Sequence, residues 1–230
     1  MVSGAAGAPD VRHGAAATRP ADPIRRRRMQ SRFRAAQTFD EFLATAEKNL
    51  DLWTAMARRA AVPMDLLQRA AAIPGRWQLL VLNEDWCGDA VNTVPFVARL
   101  AELAPNLELR ILGRDANPDL MDAHLWQGTR SIPVVIAYDE EFVERGWWGP
   151  RPTELQAWAV GEGRLLEKPE RYKEIRRWYA RDGGRTTLLE VVEMLESAAA
   201  VHAAADAVWR AELLHDELAG GRGDRPRHPG

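Results

Sequence analysis

Residues 77–103 read WQLLVLNEDWCGDAVNTVPFVARLAEL, and the fold is decided in this stretch. Trp77 to Leu82 form a short continuous apolar run, the pattern of a strand buried on both faces. From Asp89 to Leu103 the spacing predicts a helix, with Val94, Val97, Leu100, Ala101 and Leu103 available to pack on a sheet. Trp86-Cys87-Gly88-Asp89 lies between the two, which places Cys87 at or just before a helix N-terminus. Unpaired N–H groups and the helix dipole favour a thiolate there. Glu84, Asp85 and Asp89 oppose it, because nearby negative charge raises a thiol pKa.

Further along, Leu107–Leu112 reads as a second strand and Pro118–Trp126 as a helix with proline near its start. Pro133–Ala137 reads as a third strand. Phe142–Trp147 reads as a fourth, after the turn Asp139-Glu140-Glu141, and Pro152–Val160 as a helix. The order strand, helix, strand, helix, strand, strand, helix predicts an α/β unit with a central mixed sheet of about four strands flanked by helices. The first crossover contains a helix and so joins parallel strands; the short turn before Phe142 joins antiparallel ones. Upstream, Thr38 and Glu41 form a capping box, and helical spacing continues from Phe39 to Ala60 before Pro63. A shorter helix follows at Met64–Ala72. Beyond Gly163, Tyr172, Ile175, Trp178 and Tyr179 share a helical face, and Gly183-Gly184 ends that helix. Thr187 and Glu190 form another capping box, opening a helix toward Leu218. These flanking helices are expected to pack on the sheet unit.

The 230 residues are 46% hydrophobic and 28% charged with a net charge of −2, a balance that suits a globular protein with a real core. A single cysteine excludes an intramolecular disulfide and a cysteine-rich zinc site. No apolar run approaches the roughly 18 residues that span a bilayer. Residues 1–34 carry eight arginines against Asp10 and Asp22 with almost no large apolar side chains, so they are expected to form a basic tail without fixed structure. The expected organisation is this tail, a domain over 35–217 with its core at about 62–162, and a second tail over 218–230. Nucleic-acid binding is not expected, the basic tail over 1–34 being the one segment whose charge would suit it, and a cytoplasmic location is expected. The five histidines are scattered, no metal site is expected, and no phosphate-cradling loop or dinucleotide fingerprint is present.

Five features, in order, resemble thioredoxin. Cys87 follows a tryptophan at the start of a helix, and Pro95 lies eight residues later. Asp115-Ala116-Asn117-Pro118 resembles the D-x-N-P before the third thioredoxin helix. Arg130-Ser131-Ile132-Pro133 resembles the loop whose cis proline faces the cysteine, and Gly149, sixteen residues on, resembles the glycine of the substrate groove. The similarity covers about residues 62–162. The W-C-G-D form with helical extensions resembles a thioredoxin-like group distinct from the housekeeping reductase. Three departures matter. Ala90 stands where thioredoxins carry the second, resolving cysteine, Val81 replaces the buried acid that helps deprotonate it, and Ile111 replaces the lysine paired with that acid.

The resemblance implies that Cys87 acts as a lone, monothiol nucleophile on protein or small-molecule disulfides. It implies no bound cofactor, and glutathione or another low-molecular-weight thiol would be the co-substrate that resolves the adduct. Asp89 is a candidate general acid or base beside Cys87, or a first-turn acid that stabilises the helix dipole. Trp86, Gly88, Arg130, Ile132, Pro133, Trp148 and Gly149 are the candidate substrate-binding residues. One of Trp147 and Trp148 should enter the core while the other borders the groove. The alternative is a peptide-binding module in which the groove holds an extended chain and Cys87 does no turnover. A thiol pKa well below about 8.5 favours chemistry and a higher one the binding module.

Overall fold

The structure is a computed structural model and describes residues 22–220. In chain order the elements are α1 (Pro23–Ala35), α2 (Phe39–Thr45), α3 (Leu50–Arg59), α4 (Met64–Ala72), β1 (Trp77–Asn83), α5 (Gly88–Leu103), β2 (Leu107–Gly113), α6 (Pro118–Ala123), β3 (Val134–Tyr138), β4 (Glu144–Trp148), α7 (Thr153–Val160), α8 (Lys168–Asp182) and α9 (Arg185–Gly220). The sheet order is β2-β1-β3-β4. β1 and β2 run parallel across the α5 crossover, and β3 is antiparallel to both β1 and β4. This is a mixed α/β sheet of the expected kind. Leu79 to Leu82 in β1 are fully buried, which accounts for the unbroken apolar run in the sequence.

The flanking helices share one core with the sheet. Phe33, Trp53, Leu66, Leu80, Val94 and Leu188 belong to one contiguous buried cluster. α9 packs against α4, α5 and β4, and α3 packs against α5. No helix among the described residues is long and apolar enough to cross a membrane.

Several boundaries differ from the sequence reading. Residues 23–34, assigned to the basic tail, belong to helix α1. Phe33 is buried edge-on against Phe142 at 5.6 Å, Arg32 forms two hydrogen bonds of 2.9 Å to Asp119, and Arg26 Nε donates to the Glu141 carbonyl. One buried ring and two anchored arginines tie down a segment whose composition alone reads as solvated. Residues 1–21, and 221–230 of the second expected tail, lie outside the described residues, whereas 218–220 continue α9.

The helix expected to run from Phe39 to Ala60 is two helices. Asp85 accepts the N–H groups of Glu47 and Lys48 at 2.9 and 2.8 Å, drawing the chain out of helix between α2 and α3. α6 ends at Ala123, leaving Trp126 in a small bridge with Thr129. Phe142 precedes β4 with φ +57°, and its ring packs on Phe33. Thr187 is buried inside α9 and is not its cap; the first turn is met instead by Asp182, which accepts from the Thr186 N–H at 3.1 Å.

Candidate functional site

Cys87 caps α5. Its Sγ accepts the Ala90 N–H at 3.5 Å, and its thiol donates to the Ile132 carbonyl at 3.4 Å. The Ile132–Pro133 peptide bond is cis. Beyond it lies Gly149, with φ +140°, where a β-carbon would stand 2.2 Å from the Pro133 oxygen. The end of β4 and the Pro133 loop therefore touch backbone to backbone beside the sulfur. Ala90 is fully buried, and Val81 and Ile111 are buried partners in the β1–β2 register, so nothing titratable stands at those three positions.

Two of the three acids near Cys87 accept backbone N–H groups. Asp85 holds the α2–α3 connection through its carboxylate and takes the Trp53 indole N–H on its carbonyl at 2.8 Å. Glu84 accepts the Asp115 N–H at 2.8 Å. Asp89 is tied differently. Arg151 donates to both of its oxygens at 2.8 and 2.6 Å, and the Tyr179 hydroxyl donates at 3.1 Å. Arg151 also donates to Gln156 at 2.8 Å. The Asp89 and Arg151 side chains are only 13% and 20% exposed, so this pair is strongly coupled.

Capping a helix does not leave the thiol open to solvent: Cys87 is 7% exposed. Burial first, and the charge of Asp89 second, push it up to about 11, while the N–H groups of Ala90 and Asp89 and the Arg151 guanidinium pull back only in part. Desolvation outweighs the helix N-terminus because the thiolate loses its water before the N–H groups replace it. Tyr179 is likewise raised by burial and then by Asp89.

This has a consequence for stability. The folded state keeps the Cys87 proton to about pH 11, whereas a thiol of ordinary value releases it near 9.0. The stabilisation is therefore complete below pH 9 and is lost as pH rises through 11, by about 2 to 3 kcal/mol. Urea midpoints should fall further between pH 9 and 11 in the parent than in Cys87→Ser. Equal losses in the two proteins would mean that the thiol is not held protonated.

The other candidates divide. Gly88 opens α5, and Trp86 is 43% exposed with the Arg114 guanidinium 4.9 Å from its ring centre. Arg130 is not turned to the cysteine: it makes two 2.7 Å hydrogen bonds to Asp122, and the cation acting on Cys87 is Arg151. Trp148 does not border the groove as an outward ring. It is buried, and its Nε1 donates to Glu190 on α9 at 2.7 Å, because α9 covers that face of β4. Trp147 is the half-buried one, edge-on to His124 at 5.8 Å. Far along the chain, Asp139, Glu141 and His202 bring ligand-type atoms within 4.8 Å of one another, but the Asp139 carboxylate is already taken by Arg145 at 2.6 Å and the N–H groups of Glu141 and Val143. Arg151, Gln156 and Tyr179 were missed. Arg151 had one signal, a cation two residues past Gly149; Tyr179 reads only as part of an apolar helix face.

The thioredoxin family model matches residues 36–174. Among solved structures, a protein of unknown function from Pseudomonas aeruginosa is 23% identical with a TM-score of 0.59, over 72% of this chain and 95% of that one. An HIV epitope-scaffold is 22% identical with a TM-score of 0.58, over 73% of this chain and 96% of its own. Both likenesses concern the fold alone. No curated protein matches the chain.

Proposed function

The chain belongs to the thioredoxin family, and we propose that it is a thiol-redox protein in which Cys87 works as a slow, lone nucleophile on disulfides. The observation that carries this reading is the seat of the sulfur: at the N-terminus of α5, against the Ile132 carbonyl, with the Ala90 N–H aimed at it and a cation acting on it. In the reaction the Cys87 thiolate attacks one sulfur of R–S–S–R′, forming a Cys87–S–S–R bond and releasing R′–S⁻. A second thiolate from a low-molecular-weight thiol then attacks the R sulfur, leaving as its own mixed disulfide with R and returning the Cys87 thiolate. Ala90 supplies no internal thiol for that second step.

The raised thiol pKa sets the rate. Relative to a free cysteine at pH 7, a value of about 11 lowers the thiolate fraction by about 300-fold, and the greater basicity returns about 15-fold in nucleophilicity, leaving exchange roughly 20-fold slower. The same basicity makes Cys87 a poor leaving group, so its mixed disulfide is long-lived. The burial and the raised value favour the second reading, a peptide-binding module with an idle cysteine.

Intact-mass measurement under glutathione disulfide separates the two. A slowly forming adduct of one glutathione, faster as pH rises toward 11, removed by added thiol and absent in Cys87→Ser, supports exchange. A thiol that stays unmodified in the folded protein at pH 9 leaves the binding module.

A further inference from the structure

Gly149 also lines a cavity of about 310 Å³, within the size of small-ligand sites. Its walls include Trp126, Trp147 and Trp148, together with Arg151, Gln156 and Glu190. Three of the nine tryptophans in the chain therefore meet at one opening between the edge strand β4, α7 and α9. The two charged groups are not equivalent. Arg151 is neutralised by Asp89 through two hydrogen bonds and is further held by Gln156. Glu190 accepts from the Trp148 indole at 2.7 Å and from the Thr153 backbone N–H at 2.8 Å, and it has no ion-pair partner among the described residues. Burial raises its pKa first, the Trp148 and Thr153 hydrogen bonds pull it back in part, and the charge of another acid, Glu193, adds to the rise. Within the described residues, the cations stacked on aromatic rings sit on Trp86 and Tyr172, not on these three tryptophans.

We propose that this cavity binds the alkylated ammonium group of a small organic cation. Tryptophan is the strongest aromatic partner for a cation, and an alkylated ammonium has a thin, low-cost hydration shell that an apolar wall can replace. Glu190 supplies the missing counter-charge. The Asp89–Arg151 pair adds no net charge, so the sign of the cavity is set by the Glu190 carboxylate, whose two N–H donors favour its ionised form. A neutral aromatic ligand would fill the walls and leave that carboxylate uncompensated; an anion would face it directly. The assignment is independent of any reaction at Cys87, which does not line the cavity.

The test uses choline and 3,3-dimethylbutan-1-ol, which match in shape and differ in having a quaternary nitrogen or a carbon at the centre. Both are titrated into the full chain, followed by tryptophan fluorescence and calorimetry against sodium chloride at equal ionic strength. Choline should saturate the signal with an affinity at least about tenfold above that of the alcohol. Glu190→Gln should remove that preference, and Trp126→Ala, on a half-exposed loop ring, should weaken choline without unfolding the protein. Equal binding of the two compounds, or no choline response beyond that of the salt, overturns the proposal. A trimethyllysine peptide bound more than about tenfold tighter than choline overturns the small-molecule source. Repeating the titration on Cys87→Ser reads the cavity separately from the thiol, so that failure of one reading leaves the other standing.

Discussion

In the Asp89→Asn protein Cys87 is expected to alkylate about tenfold faster at neutral pH than in the parent. Asp89 is the second cause, after burial, of the raised thiol, and its removal frees the Arg151 guanidinium to face the sulfur alone. Losing a like charge and gaining an opposite one at this range shifts a pKa by about 1 to 3 units. A fall of about two units multiplies the thiolate fraction by about 100, and the lower basicity returns about a tenth of that as rate. Arg151→Gln should act in the opposite direction, since it leaves the Asp89 charge beside the sulfur uncompensated. The opposed pair guards against a trivial result. Both substitutions break a mostly buried ion pair and cost stability, but unfolding would speed alkylation in both. A slower Arg151→Gln and a faster Asp89→Asn, read by pH-dependent iodoacetamide labelling with circular dichroism as a check on folding, assign the electrostatics to this pair. The same direction in both variants rejects it.

Gly149→Ala should lower the melting temperature by about 10 °C. The new β-carbon meets the Pro133 oxygen at 2.2 Å and the Val134 Cα at 3.2 Å, and the φ of +140° is one that side chains rarely adopt. Both obstacles are backbone atoms, so no side-chain rotation relieves them. A cost of about 3 kcal/mol is the expected scale for strain plus overpacking, and a chain of this size loses about 2 to 4 °C per kcal/mol. Gly88→Ala is the matched control. Its β-carbon meets nothing within 4 Å at an ordinary φ, in the first turn of α5, and relief of unfolded-chain entropy should leave it neutral or slightly stabilised. If the two alanine variants melt together, the contact between the end of β4 and the Pro133 loop is not a constraint on the fold.

The sequence by itself determined the order of elements from Trp77 to Val160 and the place of Cys87 at the mouth of α5, because these rest on local information. A continuous apolar run is a strand covered on both faces; a 3.6-residue period is a helix with one side to a core; a turn too short for a crossover makes an antiparallel pair. The three replacements Ala90, Val81 and Ile111 were legible only through the resemblance to thioredoxin, which says what those positions carry in that family. What only the tertiary structure decided depends on neighbours distant in the chain. Arg32 and Phe33 read as part of a tail until Asp119 and Phe142 are beside them. The helical period through Ala46 to Asn49 is broken by Asp85, some 36 to 38 residues away, whose oxygens compete with the helix for its N–H groups. The thiol shows this most plainly. Its position favours the thiolate, and its three nearby acids are visible in the sequence, yet the outcome is set by how much water the packed chain removes from Cys87 and by an arginine 64 positions later. Desolvation and Coulomb energy depend on distance through space and on the surrounding medium, and a sequence lists neither.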